Sequence, residues 1–401
     1  MRDHYDVVIV GGAVMGSCTA YWLAANPDFC GTVLLVERDP SYATASTALS
    51  ASGIRVQFSN RANVEIGLFG NEFIRDFPDL MEVEGDRPSL GFHPGGYLFL
   101  ANTEEQVRIL RENHAVQRAA GAEVELWEAD RLREAFPHLR TEDILLASYG
   151  LKGEGWFDNT GIMAGARRKA RALGVDVVAD EVVAISRAGG RVTGVTLKSG
   201  AVVGAGTVVN AAGPRGGQVA ALAGLALPVE PRKRTLFVFD AADTPEGSAR
   251  VNGGRLPLMI DPSGVWCRPE GRFFIAGGVP EDDAPPPYDD FAPDHPEWEG
   301  QIWPALAERA PQFEALKLVR YWAGHYDYNT FDQNGIVGRH PEVTNFIFQN
   351  GFSGHGLQQG PAVGRAVMEL ITYGGYRSID LTDMRYERIA ENRPFLEQAI
   401  V

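Results

Sequence analysis

Apolar runs and a helical repeat organise the first forty positions of the chain. Residues 5–10 (YDVVIV) are almost continuously apolar, the pattern of a parallel strand buried on both faces. Apolar residues then recur at helical spacing over 14–25, and the Asn-Pro pair that follows predicts the end of that helix. A second apolar run, TVLLVE, covers 32–37. This order predicts a strand–helix–strand unit.

The rest of the chain continues the mixture of strand and helix patterns. A stretch rich in Pro and Asp, 279–296, predicts an irregular surface excursion rather than a linker between independent domains. No internal repeat or low-complexity tract is present. Strand patterns cover 94–101, 175–180, 182–203, 206–213, parts of 229–277, and 345–350, and helical patterns cover 103–121, 161–173 and about 359–373.

Charge and composition narrow the classes of function. The 401 residues include 37 Lys and Arg against 52 Asp and Glu, a formal net charge of −15 that disfavours nucleic acid and anionic lipid as partners. No apolar run approaches the about 20 residues needed to span a bilayer, and the start MRDHYDVVIV lacks a signal-peptide pattern. Three cysteines without metal-type spacing suit a reducing compartment. We expect a cytoplasmic protein with no transmembrane segment and no metal.

A glycine-rich turn lies between the first strand and the first helix. Gly11, Ala13 and Gly16 occupy the three positions that in a dinucleotide fold allow the tight turn, the approach of pyrophosphate and the packing of helix on strand. Alanine at the middle position departs from the pattern, although Gly12 is adjacent. Glu37 ends the second strand, where a carboxylate accepts ribose hydroxyls and disfavours a 2′-phosphate. The unit predicts an adenine dinucleotide.

FAD and NAD share this unit, and the position of the unit in the chain favours FAD. The unit stands at the N-terminal end of the sequence, whereas GTVVNAAG, a second strand-to-glycine turn at 206–213, follows much later. A sheet completed by such a distant strand belongs to a domain that is discontinuous in sequence, as in FAD enzymes, so the order of these segments favours FAD over NAD.

The C-terminal run HYDYNTFDQNGIVGRHPEVTNFIFQNGFSGHGLQQGPAVGRA, residues 325–366, is similar to the flavin-contacting segment of the D-amino-acid oxidase and sarcosine oxidase (DAO) family. Its YDYNTFDQNG and GFSGHGLQQ most resemble a branch whose mitochondrial members are linked to the assembly of respiratory complex I. The resemblance covers the whole chain. It implies an α/β protein with a discontinuous Rossmann-like FAD-binding domain (1–80, 150–228 and 321–401) and a substrate domain with a mostly antiparallel sheet (81–149 and 229–320).

The resemblance also implies which residues border FAD. The glycine-rich turn after the first strand would hold the pyrophosphate, and the end of the second strand would hold the ribose. The segment of small residues around 46–53 would border the flavin, and the backbone at 182 would contact the adenine. The GFSGHG turn would border the pyrimidine side of the flavin ring. The implied residues are Gly11, Gly12, Ala13, Val14, Met15, Gly16, Glu37, Arg38, Ser46, Ser50, Ala51, Ser52, Gly53, Val182, Ala212, Gly213, Gly354, His355, Gly356, Leu357 and Gln358.

Three departures from the family pattern change the expected chemistry. His325 stands where sarcosine oxidases carry the cysteine bonded to flavin, so we expect noncovalent FAD. The family's oxidases carry a lysine that supports reactivity with oxygen, and its position falls on or near Phe274 in this chain. The absence of that lysine favours a dehydrogenase over an oxidase. Gln358 replaces a lysine that pairs with the substrate carboxylate, and an amide can hydrogen-bond that group without neutralising it.

The candidates for substrate binding are arginines and aromatic residues. Arg55 and Arg268 could grip a carboxylate, and His355 could contact the ring or transfer a proton. Tyr97, Tyr326 and Tyr328 could form walls or hydrogen-bond the amine. We expect oxidation of the C–N bond of a secondary or N-alkyl amino acid by hydride transfer to flavin N5, followed by hydrolysis of the imine. Electrons would pass to oxygen, a quinone or an electron-transfer protein.

Two other functions stay open at this point. Relatives with this architecture oxidise alcohols, so a 2-hydroxy acid or polyol phosphate is an alternative substrate, and His355 would then be the base. The complex I branch suggests instead an assembly factor or scaffold in which FAD stabilises a partner-binding fold.

Overall fold

The computed structural model describes residues 1–398, which form two eight-stranded sheets and one two-stranded sheet. The strands in chain order are β1 (His4–Val10), β2 (Val33–Glu37), β3 (Gly53–Ile54), β4 (Tyr97–Ala101), β5 (Val124–Trp127), β6 (Leu146–Gly150), β7 (Gly155–Trp156), β8 (Asp176–Ala179), β9 (Val182–Ala188), β10 (Arg191–Leu197), β11 (Val202–Asn210), β12 (Val229–Ala241), β13 (Leu258–Ile260), β14 (Trp266–Glu270), β15 (Phe273–Gly277), β16 (Leu316–Asn329), β17 (Ile336–Arg339) and β18 (Phe346–Asn350).

Ten α-helices accompany these strands within the described residues. Helix α1 begins at Val14 and ends at Ala25, as its apolar spacing predicts. The last long helix begins at Gly356, three residues before the predicted start, so Leu357 and Gln358 lie in its first turn. The helices are α1 (Val14–Ala25), α2 (Arg61–Leu80), α3 (Glu104–Ala119), α4 (Ala129–Ala135), α5 (Asn159–Ala172), α6 (Gly216–Leu222), α7 (His295–Glu297), α8 (Trp303–Arg309), α9 (Gly356–Tyr373) and α10 (Glu387–Ala390).

The first sheet is a parallel core with antiparallel additions. Its order is β17-β18-β11-β1-β2-β8, with β10 and β9 joined beyond β11. Strand β1 runs parallel to both β11 and β2, which confirms the predicted strand–helix–strand unit and its completion by a distant strand. Helices α1 and α9 pack on one face of this sheet, burying Val7 and Ile9, whereas Val8 and Val10 belong to the core on the other face. Burial on both faces explains the continuous apolar run of β1.

The second sheet is mostly antiparallel. Its order is β16-β12-β15-β14-β13-β4-β6-β5, and only the pair β13 and β4 is parallel. The mixed α/β architecture predicted from the sequence is therefore confirmed. The predicted domain boundary at 320/321 falls within β16, which continues from Leu316 through Asn329 in this sheet.

The two faces of the second sheet bury different residues. Leu236, Ile275 and Trp266 share one face, and Phe239 and Phe274 share the opposite face, where Phe274 stacks on Phe239 at 5.6 Å between ring centroids. Side chains alternate between faces along a strand, so a shift of one residue in an alignment reverses the face. Phe274 packs into the core on the far side of the sheet and does not line the cavity described below.

No helix within residues 1–398 combines the length and the apolar character required to cross a membrane.

Candidate functional site

A long cavity of about 700 Å³ runs between the two sheets, a size typical of a pocket for a small molecule or cofactor. Its lining includes the β1–α1 turn and the end of β2 together with the start of α9 and one face of the second sheet. Most of the residues expected to border FAD line this cavity: Gly11, Ala13, Val14, Met15, Glu37, Arg38, Ser46, Ser50, Ala51, Gly53, Val182, Ala212, Gly213, Gly354, His355, Gly356, Leu357 and Gln358.

Five of the residues predicted to border FAD or bind substrate lie outside the lining: Gly12, Gly16, Ser52, Arg268 and Tyr328. The two glycines act within the turn. Gly11 has φ +104°, and a Cβ there would lie 2.4 Å from the carbonyl oxygen of Ala211. A Cβ on Gly16 would lie 1.8 Å from the carbonyl oxygen of Gly11. Gly16 therefore lets α1 approach β1, and it does so from outside the cavity.

Glu37 is a buried carboxylate that also holds the turn. Its Oε2 accepts the Gly12 N–H at 2.7 Å, and its Oε1 accepts the Asp39 N–H at 2.8 Å. Burial raises the pKa of Glu37, and these two hydrogen bonds oppose that shift. A carboxylate has about four acceptor positions, so capacity remains for ribose hydroxyls. Gly12 thus orients Glu37 and does not line the cavity.

The cavity meets two helix N-termini whose N-cap residues supply no side-chain cap, although the Val14 N–H of α1 donates to the hydroxyl of Thr47 at 3.3 Å. Ala13 is the N-cap of α1 and His355 is the N-cap of α9, and neither side chain accepts a hydrogen bond from its helix. Uncapped N-terminal N–H groups and the helix dipole together attract negative charge. An elongated cavity with one such terminus at the pyrophosphate turn and another at the GFSGHG turn fits FAD, whose pyrophosphate and pyrimidine ring both present oxygen acceptors.

The segment of small residues over 44–53 is held by polar side chains from elsewhere in the chain. The Asn159 amide donates to the carbonyl oxygens of Thr47 and Ser50 at 2.8 and 3.3 Å. The hydroxyl of Ser46 donates to the carbonyl oxygen of His325 at 2.5 Å. Loop backbone bonded in this way has defined positions, which suits a surface that contacts a ring.

Arg268 supports the same segment and is not free to bind a substrate. Its guanidinium donates to the carbonyl oxygen of Ala51 at 2.7 Å and pairs with Glu270 at 2.5 Å. The side chain is 3% exposed and lies over the ring of Trp156. The hypothesis that Arg268 grips a substrate carboxylate is therefore corrected, because its donors are already occupied outside the cavity.

Arg55 is a buried cation with no carboxylate of residues 1–398 in direct contact with its guanidinium, although Glu397 and Glu154 act on its charge through space. It is 4% exposed and lines the cavity, and it forms no ion pair with any carboxylate of residues 1–398. Its guanidinium donates to the carbonyl oxygen of Gln57 at 2.5 Å and lies 4.3 Å from the ring centroid of Phe58. Burial lowers the pKa of Arg55 from its ordinary value. An unpaired buried charge is costly, so its persistence indicates a ligand of opposite charge.

His355 is a neutral acceptor for Arg55. The guanidinium lies 3.0 Å from Nε2, and because arginine has only donors, Nε2 must be unprotonated and Nδ1 must carry the hydrogen. Burial and the nearby Arg55 charge lower the pKa of His355 to about 3. The ring packs edge-on against Phe58. Of the two roles expected for His355, contact is supported and proton transfer is not.

Three further groups converge with Arg55. Gln358 accepts the Arg55 backbone N–H at 2.7 Å through Oε1, and its amide nitrogen makes no hydrogen bond to the described part of the chain. The hydroxyls of Tyr97 and Tyr326 likewise make none there, and both residues line the cavity. Burial raises the pKa of both tyrosines. Tyr328 lies outside the lining, under the guanidinium of Arg232. The cluster thus offers several hydrogen-bond donors, of which the two hydroxyls can also accept.

The stretch predicted as a surface excursion contributes to the cavity wall. Tyr288, Asp289 and Phe291 line the cavity. Phe291 stacks on His325 at 4.3 Å, and Nε2 of His325 lies 2.6 Å from the carbonyl oxygen of Asp290. Nε2 therefore carries a hydrogen and donates it. The composition of 279–296 indicated irregular backbone, but it did not indicate that Tyr288, Asp289 and Phe291 would face the cavity.

Sequence reasoning missed several further charged residues that line the cavity, among them Asp327 and Arg234. Asp327 accepts the N–H groups of Gly351 and Phe352 at 2.9 and 3.2 Å, and burial raises its pKa to about 6. Arg234 forms a bidentate pair with Asp283, so its charge is balanced, unlike that of Arg55. The sequence signal that could have identified Asp327 and Arg234 is the presence of an ionisable residue inside a strand pattern that is otherwise aromatic or apolar.

Comparison with known proteins agrees with this geometry. The family model described as FAD dependent oxidoreductase (DAO) matches residues 6–370. The FAD-dependent oxidoreductase domain-containing protein 1 of Xenopus laevis is 43% identical, with 100% of this chain and 85% of the frog protein covered. The sarcosine oxidase subunit beta of Rhizobium meliloti is 25% identical, with 93% and 86% covered.

A solved structure has the same fold. The L-proline dehydrogenase of P. horikoshii superimposes with a TM-score of 0.85 at 24% sequence identity, covering 98% of this chain and 100% of that one. The resemblance to the D-amino-acid oxidase and sarcosine oxidase family and the assignment of FAD as cofactor are both confirmed. The chain belongs to the DAO family of FAD-dependent oxidoreductases.

Proposed function

We propose that this flavoenzyme oxidises the C–N bond of a secondary or N-alkyl amino acid. The observation that carries the proposal is the unpaired guanidinium of Arg55 at the cavity wall, beside donors from Tyr97, Tyr326 and Gln358. Carboxylate is the substrate group that best satisfies a planar cation surrounded by neutral donors. The relatives named as sarcosine oxidase and L-proline dehydrogenase carry the names of amino acids with secondary amines.

The same cluster selects the neutral form of the substrate amine. Arg55 is positive and buried, and the neighbouring groups offer no carboxylate for an ammonium. Leu236, Leu258 and Ile260 add an apolar wall to the cavity. Desolvation and a nearby positive charge both lower the pKa of an amine. A neutral amine keeps the lone pair that C–N oxidation requires.

FAD would lie along the lining residues. The N–H groups at the start of α1 would hold its pyrophosphate, and Glu37 its ribose. The start of α9 would border the pyrimidine ring, where its N–H groups stabilise negative charge. Bound FAD supplies the acceptor for the hydride that leaves the carbon beside the amine.

We propose that FAD is bound noncovalently. Nε2 of His325, the residue at the position of the family's flavin-linked cysteine, is occupied by the carbonyl oxygen of Asp290. The three cysteines, all within the described range, lie outside the cavity lining. These positions leave no thiol beside the cofactor.

The substrate class can be tested by anaerobic reduction of the holoenzyme. We expect N-methyl amino acids and proline to bleach the visible absorbance of the flavin, and the matching 2-hydroxy acids to leave it unchanged. The reason is that an alcohol needs a base, and the Nε2 lone pair of His355 is engaged by Arg55. Bleaching by a hydroxy acid alone would refute the amine proposal. The absence of bleaching by either class would favour a non-enzymatic role.

We propose further that electrons leave to an acceptor other than oxygen. No lysine lines the cavity, Arg234 is neutralised by Asp283, and a bound carboxylate would neutralise Arg55. A balanced site gives little stabilisation to superoxide. After reduction by substrate, we expect a soluble quinone to restore the flavin absorbance at least about tenfold faster than air-saturated buffer does. Equal rates with both acceptors would identify an oxidase.

A further inference from the structure

Glu154 is a buried acid with four N–H donors. It is 1% exposed and lies between β6 and β7. Its Oε1 accepts the backbone N–H groups of Val56 and Gln57 at 2.7 and 3.1 Å. Its Oε2 accepts the Gln57 side-chain amide at 2.8 Å and the Tyr97 backbone N–H at 3.2 Å. A carboxylate satisfied to this extent fixes the position of every segment that it touches.

The segments that meet on Glu154 are those that carry the donors of the cavity. Val56 directly follows Arg55 in the chain, and Tyr97 is the first residue of β4 in the second sheet. Gln57 adds a link to both, since its amide also donates to the carbonyl oxygen of Tyr97 at 3.0 Å. One carboxylate thus joins the Arg55 segment to the sheet that covers the cavity.

Glu154 and Arg55 also share a charge relationship. Neither forms an ion pair within residues 1–398, yet each is buried and each stabilises the charge of the other through space. The remaining titratable groups facing Glu154 are Tyr97 on β4 and Tyr149 on β6, which are neutral at ordinary pH. Half-buried Glu397 and fully buried Glu154 are the carboxylates that stabilise the Arg55 charge through space when the cavity holds no anion.

We propose that Glu154 is a positioning residue that aims Arg55 and Tyr97 into the cavity, and that it takes up one proton from solvent when a carboxylate binds Arg55. The inference rests on the proposed function. A bound carboxylate places a second anion beside one cation, and like charges in a buried site favour protonation of one of them.

Before a carboxylate binds, Glu154 is partly ionised near neutral pH, so it is able to take up a proton. Burial raises the pKa of Glu154 to about 7, while its N–H donors and Arg55 oppose the shift. A substrate anion would raise the pKa further. Proton uptake on binding is therefore expected to be greatest at about one unit above neutral pH and to vanish at low pH, where Glu154 is already protonated.

The test uses the FAD-loaded protein and benzoate, a carboxylate with no C–N bond to oxidise. Calorimetry at about pH 7.5 in two buffers of different ionisation enthalpy measures protons taken up, and we expect about 0.3 to 0.5 per benzoate. Glu154→Gln cannot accept four N–H groups, so we expect benzoate affinity to fall about 10- to 100-fold and proton uptake to disappear. Flavin content reports that this variant is folded.

Two further variants sharpen the experiment. Glu154→Asp keeps the charge but shortens the reach, so affinity should fall while proton uptake persists. Glu297→Gln is the matched control, because burial raises the pKa of Glu297 to about 7 as well, whereas its nearby cation is Arg234. We expect it to leave both benzoate affinity and proton uptake unchanged.

The possible results separate this inference from the proposed function. Benzoate binding to the wild-type protein without proton uptake, or undiminished affinity in both Glu154 variants, would overturn the role of Glu154 alone. Benzoate affinity that is absent, or equal in the wild type and Arg55→Met, would overturn the carboxylate site and with it this inference.

Discussion

Gly16→Ala should fold but purify without flavin. A Cβ at this position would lie 1.8 Å from the carbonyl oxygen of Gly11, a backbone atom that can retreat only if the turn moves away from β1. Such a shift displaces the N–H groups that would hold the pyrophosphate, although Gly16 does not line the cavity. We expect bound FAD to fall at least about tenfold, measured as flavin absorbance per protein after gel filtration.

Gly300→Ala is the matched control for this substitution. Gly300 also lies in a helical segment, Trp298–Ile302, but a Cβ there would have nothing within 4 Å. The flavin content of this variant should equal that of the wild type. Far-ultraviolet circular dichroism separates loss of cofactor from loss of fold. A Gly16→Ala protein with full flavin content would show that α1 tolerates the methyl group and that the turn does not depend on this close approach.

Arg55→Met should abolish substrate saturation without loss of flavin. Removing the cation from a buried carboxylate site costs about 2 to 4 kcal/mol, so we expect kcat/KM to fall about 30- to 1000-fold. Arg55→Lys keeps the charge but loses the planar fork of the guanidinium. Its kcat/KM should therefore lie between the values of the wild type and of Arg55→Met. Steady-state kinetics with the substrate identified by anaerobic reduction measures both effects.

Arg309→Lys controls for the loss of a buried arginine elsewhere. Arg309 is 5% exposed and pairs with Asp143 and Asp261, outside the cavity lining. We expect a lower melting temperature with an unchanged KM. A fall in kcat/KM equal to that of Arg55→Lys would mean that the Arg55 effect is a general consequence of destabilisation, and it would remove the main support for the proposed substrate class.

Local patterns predicted the cofactor-binding half of the molecule well. The apolar run of β1, the helical spacing of α1 and the acid at the end of β2 each express a requirement between residues close in the chain. The glycine positions follow from the same local geometry, since Gly11 needs a positive φ and Gly16 needs close packing. The family resemblance then distinguished FAD from NAD, which the strand–helix–strand unit alone does not.

Which side chains face the substrate end of the cavity could be decided only from the tertiary structure. Arg55 and Arg268 were equivalent candidates in the sequence, and only their partners separate them: Arg268 is bound to Ala51 and Glu270, whereas Arg55 meets no carboxylate among the described residues. The alignment placed a family lysine on or near Phe274, and only the structure shows that this side chain packs away from the cavity, since one position along a strand reverses the face. Partners distant in sequence leave no local trace.

The sequence by itself determined the βαβ unit, the adenine dinucleotide and, by resemblance, the flavoenzyme family, because these depend on short-range spacing and on a long motif at 325–366. The tertiary structure decided which cation is free, which histidine nitrogen carries a hydrogen, and that Glu154 stands behind Arg55. These properties arise from contacts between segments about 50 to 300 residues apart, where burial and unpaired charge, rather than residue type, set the chemistry.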